Sequence, residues 1–313
     1  MGFCLDQMEK DMSYCFLYPG QGAQKVGMAD FLKGSEESIK LIYEADQILE
    51  FNLSKLIFEG PMDDLTLTEN AQPALLAVGY AAHKYLVNIY DLSPVAAAGH
   101  SLGEYTALVS SGVISYENGL RLVRERGKAM QEAVKEGQGG MVALLGSGNL
   151  DGLLAACKGD FCLVPANFNT QKQTVLSGDM QAIKRAVEAA RDFGYLKAVE
   201  LKVSAPFHSP LMKEAKERMK HFMKDVEFKS SAWPVASNFT GCMHEDNPSS
   251  IKDNLINQIE GAVRWVQNLK ELSKFSFDSW VDVGPGKILF NMIPREDSRP
   301  KVNYLQFGMG KEG

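Results

Sequence analysis

The stretch that most limits how this 313-residue chain can fold is Val95-Ala96-Ala97-Ala98-Gly99, which runs into His100-Ser101-Leu102-Gly103 and then into Glu104 to Ser111. Four small apolar residues after Pro94 read as a buried strand, and Glu104 to Ser111 reads as a helix. Strand, sharp turn and helix in that order belong to an α/β fold. Glycines two before and two after Ser101 let the backbone turn sharply enough to lift the hydroxyl above a sheet. The same turn aims backbone N–H groups, notably that of Leu102, at the point where a tetrahedral oxyanion would form. The competing reading is a glycine-bordered loop with an idle serine.

A serine at its ordinary pKa is a poor nucleophile, so the first reading requires a base. Five histidines are available. His100 should diverge from its neighbour Ser101, His83 falls inside a buried helix pattern, and His221 and His244 lie in polar surroundings. His208 stands just past a strand, in the proline-fixed turn Ser204-Ala205-Pro206-Phe207-His208-Ser209-Pro210. That is where an α/β fold presents reactive groups, although a loop histidine capping the next helix fits equally well. An α/β-hydrolase triad would order Ser, acid and His along the chain. Asp282, the one acid well placed at a strand end, comes after His208. The usual triad does not fit this order, and a Ser–His pair oriented by a neutral acceptor such as a backbone carbonyl would suffice if the imidazole need not carry full charge for long.

On the helix pattern Tyr116 to Val134, Arg121 has Glu117, Asn118, Arg124 and Glu125 at neighbouring positions and belongs to a solvated face. Arg126 instead has Leu122, Val123, Ala129 and Met130 there. A charge on an apolar face is costly unless paired, and no acid lies within a turn of it. A salt bridge to a distant Asp or Glu is one account, and a carboxylate-bearing substrate is the other.

Composition excludes several classes. With 45% hydrophobic and 23% charged residues the chain is globular rather than disordered. A net charge of −6 argues against nucleic acid as a principal ligand. The five cysteines include no CxxC pair and read as reduced thiols of a cytoplasmic protein. The longest mostly apolar stretch, Ala71 to Ala82, contains Gln72 and Pro73 and falls short of a membrane span. Met1 to Met12 lacks the basic start and apolar run of a secretion signal. The glycine-rich runs at Gly20–Gly27 and Gly284–Lys287 lack dinucleotide and P-loop spacing, and no HExxH or clustered ligand set implies a metal.

Length suggests about two units. Tyr14 to Tyr18 reads as a strand stopped by Pro19-Gly20, and Gln72 to Val87 as a buried helix. From about Gly139 the texture changes to strand Met141–Leu145, helix Leu150–Cys157, strands Cys162–Ala166 and Thr174–Leu176, helix Gln181–Arg191 and strand Ala198–Val203. This βαββαβ order is ferredoxin-like. Helices Pro210–Met223 and Ile251–Ser273 and strand Ser279–Val283 then return the chain to the larger unit. We expect a loose extension over 1–13, a large α/β domain over 14–137 and 205–313, and a small ferredoxin-like domain over 138–204.

Seven segments carry a family resemblance: FLYPGQGAQKVGM (16–28), GHSLGEYTALV (99–109), RERGKAMQEAV (124–134), PANFN (165–169), VSAPFHSPLM (203–212), NQIEGAVRW (257–265) and VDVGPGKIL (281–289). In this set the chain closely resembles malonyl-CoA:acyl carrier protein transacylases. The resemblance implies an α/β-hydrolase-like large domain with the ferredoxin-like insert, and transfer of a malonyl group from malonyl-CoA to the phosphopantetheine thiol of acyl carrier protein. No cofactor is expected, and the charge, the short apolar stretch and the cysteines already point to no nucleic acid, no membrane and a cytoplasmic location. By resemblance Ser101 is the acylated nucleophile, His208 its base, and Arg126 the grip on the free malonyl carboxylate. Gln21 and Leu102 supply oxyanion-hole N–H groups, Gln258 offers its main-chain carbonyl to the histidine, and Asn167 lines the site. Gly261-Ala262 stand where the family more often has Asn-Pro. The carrier protein is acidic in the family. Lys213, Lys216, Arg218, Lys220 and Lys224 form one candidate basic run, with a solvated helix face as the plainer reading. A serine thioesterase or esterase sharing the serine turn is the second enzyme reading, and a silent docking module the non-enzymatic one.

Overall fold

The structure, a computed structural model, describes residues 12–135 and 137–303. Most of the extension expected at the N-terminus, residues 1–11, lies outside the described residues. Ser13 is held, donating from its N (2.8 Å) and Oγ (2.9 Å) to Asp278 Oδ2.

The first part of the chain runs β1 (Tyr14–Tyr18), α1 (Glu36–Leu49), α2 (Leu53–Glu59), α3 (Met62–Thr66), α4 (Thr68–Tyr90), β2 (Pro94–Gly99), α5 (Leu102–Ser110) and α6 (Tyr116–Glu132). The middle part is β3 (Gly139–Leu145), α7 (Leu150–Lys158), β4 (Leu163–Thr170), β5 (Gln173–Asp179), α8 (Met180–Ala189) and β6 (Lys197–Glu200). The chain closes with α9 (Lys213–Phe222), α10 (Pro248–Gln258), α11 (Trp265–Leu272), β7 (Ser279–Asp282) and β8 (Lys301–Asn303).

β2, β1, β7 and β8 form a parallel sheet in that order. A parallel sheet needs cover on both faces, and β1 shows how the sequence supplies it. Tyr14, Phe16 and Tyr18 enter the core made with α4, α5 and α6, whereas Cys15 and Leu17 pack with Trp265 and Leu269 of α11. Alternate residues thus face opposite layers, as the period of a strand requires. The alanines of β2 let α5 begin very close to the sheet. A Cβ on Gly99 would stand 1.8 Å from the Gly103 carbonyl carbon, so only glycine fits.

The second sheet is antiparallel with order β4-β5-β3-β6, and with α7 and α8 it forms the ferredoxin-like subdomain. Val142, Leu144, Leu163 and Leu176 pack under Leu153, Ala182 and Ile183 of its helices. Met141, Ala143, Ala166 and Val175, from the other face, join the core of the large domain. The two sheets therefore share a buried boundary.

Two helices differ from the sequence expectation. Ile251–Ser273 is not one helix. α10 begins earlier, at Pro248, where Asn247 Oδ1 accepts from Ser249 N (2.9 Å) and Ser250 N (3.3 Å). Proline at the first helical position and an asparagine cap both favour this start. α10 then stops at Gln258, and residues 259–264 cross to the small sheet, where Val263 N donates to Ala166 O (2.8 Å) and Phe168 N to Val263 O (2.9 Å). The apolar spacing that suggests continuity is satisfied because Ile259, Val263 and Trp265 are buried on either side of the break. Pro210–Met212 is likewise a separate 3-10 turn ahead of α9.

Candidate active site

Ser101 sits between the end of β2 and the start of α5 with φ 50° and ψ −104°, a conformation rare for a residue with a side chain. Its surroundings hold it there. Ser101 N donates to Asn238 Oδ1 (2.7 Å), and Ser101 O accepts from Gln258 Nε2 (3.0 Å) and Glu104 N (3.2 Å). Leu102 N–H lies in the first helical turn, where the ladder of α5 leaves donors over. The turn after β1 packs directly against this one, because a Cβ on Gly20 would meet His100 O at 2.3 Å.

His208 approaches from the other side of the boundary. Its Nε2 is 2.8 Å from Ser101 Oγ, and its Nδ1 is 2.9 Å from Gln258 O and 3.1 Å from Gly261 O. Carbonyls only accept, so Nδ1 carries the proton and Nε2 presents a lone pair to the serine hydroxyl. The broken helix makes this possible. Were α10 continuous, the Gln258 carbonyl would be committed to the helix ladder. Burial pushes the His208 pKa down to about 3, and the Arg126 charge adds to the effect, so the ring is neutral and ready to take a proton. Asp282 takes no part. Burial raises its pKa to about 8, and its Oδ2 accepts from Phe290 N at 3.0 Å.

Arg126 is buried at 1% exposure. Its Nη1 donates to Gln72 Oε1 (2.8 Å), and its Nη2 to Gln258 Oε1 (3.0 Å) and Ser101 Oγ (3.1 Å), while Nε–H has no protein acceptor. Tyr105 lies 5.3 Å beneath the guanidinium. The ion-paired arginines among the described residues are Arg121, Arg218 and Arg299, so no internal acid neutralises Arg126 directly.

Ser101, Leu102, Arg126, His208 and Gln258 thus come together. Gln21 lies in the turn after β1, with Nε2 donating to Thr68 Oγ1 at 3.2 Å, and Thr68 Oγ1 meets Ser204 Oγ at 3.0 Å. Asn167 is buried in β4 opposite Val175 and bridged to Val263. Two residues further along, Asn169 Oδ1 is 2.8 Å from His100 Nε2, and this turns the His100 ring away from Ser101. His244 has the polar neighbours its flanks suggest, but they are buried with it. Its side chain is 3% exposed and lies 2.7 Å from the fully buried Glu104.

Sequence reasoning missed Gln72, Glu104, Asn238 and Gly261. Gln72 carried a signal, since it interrupts an apolar helix stretch where a buried amide needs a partner. Glu104 is the one acid in an otherwise apolar helix. Asn238 and Gly261 act through tertiary contacts that no local pattern encodes. Of the candidate basic run, Lys216 is paired with Glu260 (2.8 Å), and Arg218 with Glu125 (2.5 Å) and Glu132 (2.6 Å).

A hydroxyl on a strained strand-to-helix turn, bonded to a neutral imidazole beside a helix N-terminus, defines the class of α/β proteins equipped for serine-centred acyl transfer. The chain belongs to the acyl transferase domain family, whose model matches residues 15–293. It is 38% identical over 291 residues to the malonyl CoA-acyl carrier protein transacylase of Bacillus subtilis, covering 92% of this chain and 91% of that one. A solved acyl carrier protein S-malonyltransferase from Vibrio cholerae is 34% identical, with a TM-score of 0.89 over 93% of this chain and 96% of that one. A malonyl-transacylase solved with its type II PKS acyl-carrier protein is 34% identical, with a TM-score of 0.88 over 93% of this chain and 94% of that one. No helix among the described residues is long and apolar enough to cross a membrane.

Proposed function

We propose that this protein transfers a malonyl group from malonyl-CoA to the phosphopantetheine thiol of acyl carrier protein through a malonyl-serine intermediate. The observation that carries the reading is Ser101 Oγ standing 2.8 Å from His208 Nε2 and 3.1 Å from an arginine that no acid neutralises. His208 takes the hydroxyl proton as Ser101 Oγ bonds to the thioester carbon, with the Gln258 and Gly261 carbonyls steadying the imidazolium. The Leu102 and Gln21 N–H groups receive the oxyanion. The C–S bond then breaks and CoA leaves with the proton from His208. In the second half the carrier thiol gives its proton to His208 and attacks the malonyl-serine carbonyl, and the Oγ–C bond breaks as His208 returns that proton to Ser101 Oγ. Arg126 donates to the free carboxylate in place of its contact with the serine, and Asn167 lines the boundary where the acyl chain enters. We take residues 138–204 as the insert that walls this boundary, and place the reaction in the cytoplasm, in keeping with the free thiols of Cys15, Cys157, Cys162 and Cys242.

An uncharged acyl group would leave the Arg126 guanidinium desolvated with no carboxylate in contact with it, a loss on the order of several kcal/mol. Arg126→Ala is therefore expected to slow Ser101 acylation by malonyl-CoA at least about 100-fold while changing acylation by acetyl-CoA far less. Single-turnover acylation followed by intact mass reads both rates. Equal losses with the two donors would remove Arg126 as the selector.

A further inference from the structure

Three residues after Ser101, the first turn of α5 carries Glu104, a carboxylate with no exposed surface. A buried anion is costly unless donors and an opposite charge accompany it. The donors are present. Oε2 accepts from Gln258 Nε2 (2.7 Å) and Asn238 N (3.0 Å), and Oε1 from His244 Nε2 (2.7 Å). On its other side the His244 ring meets Asn254, with Nδ1 3.3 Å from Asn254 Nδ2.

The cation in this network is Arg126, one amide away. Gln258 Nε2 faces two acceptors, Glu104 Oε2 and Ser101 O at 3.0 Å, so its Oε1 must face the guanidinium, where it accepts from Nη2 at 3.0 Å. The main-chain carbonyl of the same residue steadies His208. Burial lowers the Arg126 pKa, and the neighbouring Tyr105 and, after it, the Glu104 charge work against that lowering. A carboxylate in direct contact would neutralise the guanidinium and occupy its donors. An amide placed between the two leaves the charge for a ligand.

We infer that Glu104 is a positioning residue for substrate selection: through the Gln258 amide it serves as the remote counter-charge of Arg126, holding the guanidinium charged and aimed while leaving it free to receive a carboxylate. This rests on the malonyl reading above. Glu104→Gln removes the charge and lets the Gln258 amide turn its N–H toward the cation, which displaces the guanidinium.

The test compares Ser101 acylation by malonyl-CoA and by acetyl-CoA in single-turnover mass measurements. Far-UV circular dichroism and the unfolding midpoint serve as the check on folding. E104Q is expected to lower the malonyl-to-acetyl rate ratio about tenfold or more, as misplacement of an orienting group does. Glu104→Asp, which keeps the charge, should recover part of the ratio, and E104Q added to R126A should not lower it further. A folded E104Q that slows both donors equally, or leaves the ratio unchanged, overturns the inference. Should E104Q not fold, His244→Asn is the milder variant. His244 borders a cleft of about 260 Å³, through which water can replace the lost N–H. The ratio must then fall about threefold, the effect of one weakened hydrogen bond, and an unchanged ratio overturns the inference. A wild-type protein without preference for malonyl-CoA would instead sink the functional reading on which this one stands.

Discussion

The two sides of the site are built in opposite ways. The shape of the Ser101 turn comes from its own sequence neighbourhood, a strand of small residues, two glycines that permit backbone contact and a helix that starts at the next residue, and the remote Asn238 and Gln258 brace it. His208 is placed by segments remote in sequence, because its ring is held by carbonyls about fifty residues away, at a helix that stops on Gln258. One side is a rigid local turn and the other a tertiary assembly. In the proposed reaction the acylated group must be fixed before substrate arrives, whereas the base needs only a neutral, oriented ring that tolerates a brief positive charge.

The contrast predicts unequal responses to a single methyl group. Gly103→Ala would drive a Cβ to 2.0 Å from Tyr18 O, backbone against backbone, with nothing able to yield. We expect a loss of about 3 kcal/mol or more and no acylation. Gly261→Ala would meet the Phe239 ring at 2.6 Å, which can move, and the Asn257 carbonyl O at 2.9 Å, which must give by a few tenths of an ångström. It should cost about 1–3 kcal/mol in denaturant unfolding and slow acylation about tenfold as the carbonyls shift from Nδ1. Similar tolerance of both substitutions would erase the distinction between the sides.

The electrostatics of the histidine side sharpen it further. His208 and His83 each have pKa values lowered by burial from 6.5 to about 3. Between those values the unfolded chain binds more protons than the folded one, so stability falls as pH drops from about 6.5 toward 3 and loses nothing from these groups above that window. Single-turnover acylation, by contrast, should show no inflection near pH 6.5, because the folded base stays neutral. A rate that halves near 6.5 while stability stays level would reverse both expectations.

The smallest effect should come from the surface of the same side. Lys216 reaches from α9 to Glu260 beside the helix break, with both side chains about a quarter exposed. Lys216→Ala is expected to cost no more than about 1 kcal/mol in unfolding and to leave acylation nearly unchanged. A large loss would show that the turn is held from outside rather than by Val263 and the small sheet.

The same division explains what could be read from residues alone. The serine turn, the buried strand Tyr14–Tyr18, the order of the ferredoxin-like elements and the lack of an acid beside Arg126 on its own helix face all follow from patterns within a few residues. The break after Gln258 was hidden because Ile259, Val263 and Trp265 keep an apolar spacing that a helix or a buried crossing satisfies equally well. Asn238 accepting from the Ser101 amide and Glu104 meeting His244 depend on contacts spanning more than a hundred residues, and no local signal records a partner at that distance.

The central claim is that Ser101 becomes malonylated and passes the group to a thiol. Brief mixing with malonyl-CoA followed by intact-mass analysis tests it directly. The account predicts one malonyl adduct on the wild-type chain, none on Ser101→Ala, and discharge by a pantetheine thiol faster than by water. An adduct that persists in Ser101→Ala, or one that water removes as readily as the thiol does, would contradict it.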